Sequence, residues 1–256
     1  MNDSEILRKT CLQSFVGYLV AGFPSREESI RVFKNCCEAG LDVLELGFPA
    51  KNPHLDGDVI RRTQQQIDYA LAQDIDYWRE VRKNVTVPVW LMGYRDDLED
   101  NDIYLKLAQE HLYDALVLPD AEYSERLKLQ KRLKPYNVDV VGFINDTMSQ
   151  KEIDRVLLHS SLIYHQLYCG PTGICHNDDS YMPLYRYARK NSNARIFAGF
   201  GINTPERVEE LLLHGYDGVI IGSVIVKHLL EREEDACRFI ESIHKVCMQV
   251  REKKGA

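Results

Sequence analysis

The feature that most constrains this chain is an alternation. Eight short apolar runs, each followed by a polar stretch of helical period, occupy 256 residues without a linker or a shift in composition. The runs are Phe15 to Ala21, Val43 to Phe48, Val87 to Met92, Ala115 to Leu118, Val138 to Phe143, Leu162 to Leu167, Ala194 to Ala198 and Gly218 to Ile221. Runs this short, bounded by Gly, Pro or Asp, read as strands buried on both faces. Strands that alternate with helices are parallel, because each helix returns the chain to the same edge. Eight such units close on themselves. The expectation is a single-domain (β/α)8 barrel of the TIM type over residues 1–256, with a short helix before residue 12. A doubly wound open sheet would carry a glycine fingerprint after its first strand, and Gly17 and Gly22 do not make one.

Between the strands, Ser25 followed by Glu28 is a capping-box pattern. It opens a helix with a stripe of Ile30, Val32, Phe33 and Cys37 that stops at Gly40. Further on, the pattern predicts helices over 58–73 and 75–84, an acidic loop over 95–102, and one last helix over about 224–250.

Composition narrows the function. The formal net charge of −7 argues against nucleic acid as a partner. No run approaches the roughly 18 apolar residues of a membrane span, and the first nine residues lack the apolar core of a secretory signal. The seven cysteines are odd in number, with Cys36 and Cys37 adjacent and no C-x-x-C, so reduced thiols in a cytoplasm are expected. His165, Cys169, Cys175 and His176 are metal-ligand types within twelve residues, but their spacing fits no common zinc motif and no metal is expected.

Two acids stand out. Glu45 interrupts the apolar run 43–48, where a carboxylate is costly unless paired or protonated. Asp56 follows eleven residues later in a Pro- and Asn-rich loop. The expected arrangement is a buried acid of raised pKa beside an exposed acid that stays ionised, which suits acid–base chemistry. Taken singly, Glu45 reads equally as an acid bonded to backbone or Lys, and Asp56 as a turn former beside Gly57.

Glycines gather at the C-terminal ends of the later strands: Gly173 after the sixth, Gly199 and Gly201 after the seventh, and Gly222-Ser223 after the eighth. In barrels that end holds phosphate on backbone N–H groups and a helix N-terminus. The chain has no Walker loop, H-E-x-x-H or nucleophile elbow, which excludes those hydrolytic chemistries. Phe23, Tyr94 and Phe200, aromatic residues at strand ends, are candidates to line a pocket, Phe200 as a substrate contact.

These residues resemble the tryptophan synthase alpha subunit family. Leu44, Glu45, Leu46, Gly47, Pro49, Pro53, Asp56 and Gly57 match its catalytic signature, and Gly201, Gly222 and Ser223 its phosphate site, within a likeness that runs from about residue 15 to 250. Tyr164 falls at the family's active-site Tyr, and Thr172 and Gly173 at the Thr-Gly of its loop after strand six. The resemblance implies retro-aldol cleavage of indole-3-glycerol phosphate to indole and glyceraldehyde 3-phosphate, without metal or cofactor. In it Glu45 shuttles a proton, Asp56 accepts the indole N–H, Tyr164 and Thr172 contact substrate, and Gly173, Gly201, Gly222 and Ser223 hold its phosphate. It also implies a PLP-dependent beta subunit as partner. The chain departs from the signature at Ala50, Lys51, Asn52, Leu55 and Asp58, after strand three at Met92 to Asp96, and at Tyr168, Cys169 and Pro171. Two other readings stay open: a lyase for another phosphorylated substrate, which Lys51 could serve, and a non-catalytic activator of a beta-type subunit.

Overall fold

The apolar runs form parallel strands whose alternate residues face a barrel interior and a helical jacket. The computed structural model describes residues 12–168 and 179–255; the short helix expected before residue 12 lies outside them. The strands are β1 (Ser14–Val20), β2 (Val43–Gly47), β3 (Val89–Met92), β4 (Ala115–Val117), β5 (Asp139–Val140), β6 (Gly142–Ile144), β7 (Leu162–Gln166), β8 (Arg195–Gly199) and β9 (Gly218–Ile221). They pair in the order β5-β4-β3-β2-β1-β9-β8-β7-β6, and each ladder is parallel. The two ends of that order, β5 and β6, are separated only by Val141, whose N–H donates to Leu116 O at 2.9 Å. They act as one barrel strand that bonds β4 with its first half and β7 with its second. The sheet therefore closes as eight, as the alternation predicts, with its fifth strand interrupted where it changes partner.

The jacket comprises α1 (Arg26–Glu38), α2 (Asp58–Gln64), α3 (Ile75–Asn84), α4 (Arg95–Glu99), α5 (Ile103–Gln109), α6 (Tyr123–Leu133), α7 (Gln150–His159), α8 (Met182–Asn191), α9 (Pro205–His214), α10 (Ser223–Glu231) and α11 (Glu233–Gly255). Half of the expected capping box forms at α1: Ser25 Oγ accepts from Glu28 N, but the Glu28 carboxylate accepts from the Ser25 hydroxyl and not from its backbone N–H.

Three expectations need correction. The helix over 58–73 stops at Gln64, and residues Tyr69–Gln73 form a separate 3-10 turn. Asp68 accepts from Ala70 N at 2.9 Å and Asp74 from Tyr77 N at 3.1 Å, and side chains that bond the backbone in this way favour new starts over continuation. The acidic loop 95–102 begins as α4, because Asp120 accepts from Arg95 N and satisfies its first N–H. The last helix breaks at the extended residue Arg232; Glu233, Glu234 and Asp235 then crowd the first turn of α11, where the helix dipole favours acids.

Inside the barrel, Val16, Val43, Trp90, Ala115, Val117, Phe143, Leu162, Phe197 and Ile220 pack together, with Trp90 edge-on to Phe197 at 5.0 Å. Between sheet and helices lies the larger cluster that contains Leu19, Leu44, Leu46 and Leu91. The apolar plug fills the lower barrel and leaves the C-terminal ends of the strands for a site. Among the described residues, no helix is long and apolar enough to cross a membrane.

Candidate active site

Period-two alternation decides where Glu45 points. Leu44 and Leu46 face the helices, Val43 faces the barrel interior, and Glu45 shares the face of Val43. Glu45 is 3% exposed and lines a cavity of about 620 Å³ at the C-terminal end of the barrel. Burial, and then the nearby negative charge of Asp56, push its carboxyl up to about 8. No basic side chain among the described residues offsets this. The reading of Glu45 as an acid paired with Lys is therefore wrong.

Asp56 lines the same cavity, but it is not the exposed loop acid the sequence suggests. It is 4% exposed. The Tyr94 hydroxyl donates to Asp56 Oδ2 at 2.8 Å and accepts from Leu55 N at 3.2 Å, while the His54 ring tilts against Tyr94 at 4.9 Å. Burial raises Asp56 to about 6, opposed by the Tyr94 hydrogen bond and by the positive potential of His54 and Arg61. At pH 7 Glu45 is then mainly the acid and Asp56 mainly the carboxylate. Two carboxyl groups in one cavity with opposite protonation can donate a proton at one point and stabilise positive charge at another.

The loop between β2 and α2 is pinned at several points. Gln64 donates to Phe48 O and accepts from Ala50 N, both at 3.1 Å. Buried Asp97 accepts from Lys51 N and from the Tyr69 hydroxyl. The Lys51 ammonium turns to Asp100 and the Tyr69 ring, with 60% of its side chain exposed. Lys51 is thus an anchor and not a desolvated nucleophile.

The other residues that the sequence singles out divide sharply. Tyr164, Phe200, Gly201, Gly222 and Ser223 all line the cavity with Glu45 and Asp56. Tyr164 stacks on Phe143 at 5.1 Å and meets Phe200 edge-on at 5.8 Å. Gly199 seats this wall, since a Cβ there would lie 2.2 Å from the Tyr164 ring. Phe200 holds a left-handed φ of 72°, a conformation disfavoured for a side chain of its size and typical of ligand sites. Thr172, Gly173, Cys169, Cys175 and His176 lie outside the described residues. Phe23 does not reach the cavity and packs instead with Tyr18, Val20, Ile60 and Val226. His165 faces away and is buried, its Nδ1 2.7 Å from the Tyr216 hydroxyl, and burial drives it down to about 4; it is a neutral core histidine.

At the far wall, α10 starts without a side-chain cap on Gly222. By contrast, Ser25, Ser149 and Thr204 cap α1, α7 and α9. The free N–H groups of the first turn of α10, with Ser223, border the cavity, an anion site in form. Sequence reasoning missed His54, Asn145, Gln166 and Lys227, which also line it. Two of these carried a signal: Lys227 stands one helical turn after Ser223, and Gln166 shares the strand face of Tyr164.

Comparison with known proteins agrees with this geometry. The sequence model of the family tryptophan synthase alpha chain matches residues 6–254. The tryptophan synthase alpha chain of Methanoregula boonei is 30% identical, covering 95% of this chain and 97% of its own. That of Bacillus licheniformis is 29% identical over 86% and 85%. A chain from the crystal structure of the tryptophan synthase complex of Pyrococcus furiosus shares the fold, with a TM-score of 0.79 at 20% identity over 93% and 99%. With the family match extending over nearly the whole chain, this protein belongs to the tryptophan synthase alpha chain family.

Proposed function

We propose that the chain cleaves indole-3-glycerol phosphate to indole and glyceraldehyde 3-phosphate, as the alpha subunit of a tryptophan synthase. The observation that carries this reading is the placement in one cavity of a buried Glu45, with no basic side chain among the described residues beside it, and a buried Asp56 that accepts from the Tyr94 hydroxyl, surroundings that favour the protonated form of the first and leave the second mainly ionised at pH 7. Glu45 delivers its proton to C3 of the indole ring. The ring nitrogen becomes positive, and its N–H donates to Asp56, which stabilises the charge as it forms. Glu45, now a carboxylate, takes the proton of the hydroxyl beside the ring. The carbon–carbon bond breaks, its electrons return to the ring, and the aldehyde leaves. One proton is given and one taken, so the pair ends as it began.

The substrate phosphate lies at the uncapped start of α10, on Gly222, Ser223 and Gly201. Lys227 adds a cation beside it, because helical side chains lean toward the N-terminus. Gly173 and Thr172 lie outside the described residues, and their part in the phosphate site is what the family resemblance implies. Tyr164 and Phe200 flank the ring. No step requires a metal or cofactor. Indole passes to a beta subunit, a partner the solved complex of the Pyrococcus furiosus relative supports. We place the protein in the cytoplasm, in keeping with Cys36, Cys37, Cys237 and Cys247 standing outside any disulfide. Purified protein given indole-3-glycerol phosphate should release indole and glyceraldehyde 3-phosphate in equal amounts, faster when a tryptophan synthase beta subunit is added. A folded protein that releases no indole with or without that subunit would overturn the assignment.

A further inference from the structure

One wall of the cavity is polar in a way the mechanism above does not use. Thr147 donates to Asn145 Oδ1 twice, from its backbone N at 3.1 Å and its hydroxyl at 2.8 Å. A backbone N–H can only donate, so this atom of Asn145 must be its carbonyl oxygen. The Asn145 amide nitrogen then donates to Gln166 at 2.8 Å, which makes the accepting atom Gln166 Oε1. The chain of donors therefore leaves the Gln166 NH2 group as the free end. It has no acceptor among the described residues, and both amides line the cavity.

The height of this group is also set. Gln166 ends β7, in register with Gly199, two residues beyond Tyr164 on the same face. At about 3.3 Å per residue along a strand tilted about 36° from the barrel axis, it stands roughly 5 Å nearer the barrel mouth than Tyr164. That level lies between Glu45, paired in register with Trp90 of the apolar plug, and the Gly201 and Ser223 end of the cavity. We propose that Gln166 donates a hydrogen bond to a hydroxyl oxygen of the substrate's three-carbon chain and makes the site selective for a hydroxylated phosphate chain over a deoxy one. The inference rests on the substrate reading above. Asn145 is the positioning residue: it spends its own donor on the Gln166 oxygen and so fixes which end of that amide faces the ligand. A donor oriented before binding loses little freedom on association, and a site built around such a bond discriminates strongly against a ligand that lacks the partner group.

The test compares two ligands in wild type, Gln166→Met and Asn145→Leu. One is indole-3-glycerol phosphate, read as kcat/KM. The other is an indole with an unhydroxylated three-carbon phosphate chain, read as an inhibition constant. Gln166→Met should lower kcat/KM about 10- to 100-fold while the deoxy inhibitor binds within about twofold of wild type. Asn145→Leu should move the same ratio in the same direction by a smaller factor. Gln166→Glu, which keeps the shape but presents an acceptor, should lose at least as much as Gln166→Met. An unchanged kcat/KM in Gln166→Met, or an inhibition constant that weakens in step with it, would overturn the inference while leaving the substrate reading intact. A wild-type protein inactive on indole-3-glycerol phosphate would instead overturn the reading, and the inference with it.

Discussion

Replacing Glu45 by Gln should cut turnover by at least about a thousandfold and, at the same time, make the folded chain more stable at pH 8. The loss follows from the double duty of this residue. A single proton transfer by a positioned group contributes roughly 10²- to 10⁴-fold, and in the proposed mechanism Glu45 both gives and takes a proton. Glutamine fills the same space and can do neither. The gain in stability has a definite sign and pH window. In the folded chain Glu45 titrates near 8, against 4.5 for an unburied glutamate. The folded state therefore holds a proton that the unfolded chain gives up. That difference costs nothing below pH 4.5, grows through the interval, and is complete above about pH 8. Its full size is on the order of 5 kcal/mol. Thermal melts of wild type and Glu45→Gln should coincide near pH 4 and separate progressively toward pH 8, with the variant melting higher. A separation that is the same at both ends would contradict a buried, unpaired acid.

Asp56→Asn carries the second largest effect, a fall of about 10²- to 10³-fold in kcat with KM little changed. An amide can still accept the ring N–H, so ground-state binding survives. What disappears is the full negative charge that, in the proposed mechanism, faces a ring nitrogen neutral in the substrate and positive in the transition state. Preorganised charge of this kind acts on kcat and not on KM, at the scale seen when one stabilising donor is removed from a site. Steady-state kinetics of the variant measures the split. A variant with wild-type kcat and a raised KM would mean that Asp56 only binds.

The sequence showed most of the fold and only the skeleton of the site. Eight strands were legible because period and punctuation are local properties. The interruption at Val141 was not, because it arises where one strand changes hydrogen-bonding partners, and partners are not written in local sequence. The end of α2 at Gln64 lay in the Asp68 and Asp74 side chains, whose bonds to nearby N–H groups outweighed a good helical pattern. Glu45 could be oriented from alternation alone. Asp56 could not, since a loop beside Gly57 reads as exposed, and its burial comes from Tyr94, a residue 38 positions away. Phe23 and Phe200 illustrate the same limit: both are aromatic and sit at strand ends, yet Phe23 joins the core while the left-handed backbone of Phe200 places it against Tyr164.

In the proposed mechanism the two carboxyl groups work in opposite protonation states. The pH dependence of kcat/KM for indole-3-glycerol phosphate tests it most directly, because it reports the essential acid and base of the free protein. The rate should rise as Asp56 ionises near pH 6 and fall as Glu45 loses its proton near pH 8. Tyr94→Phe, which removes the bond that holds Asp56 down, should move the acid limb upward. A bell with those limbs, shifted on the acid side by that one hydroxyl, is the predicted result. A profile that is flat from pH 5 to 9, or one that keeps rising through pH 8, would contradict it.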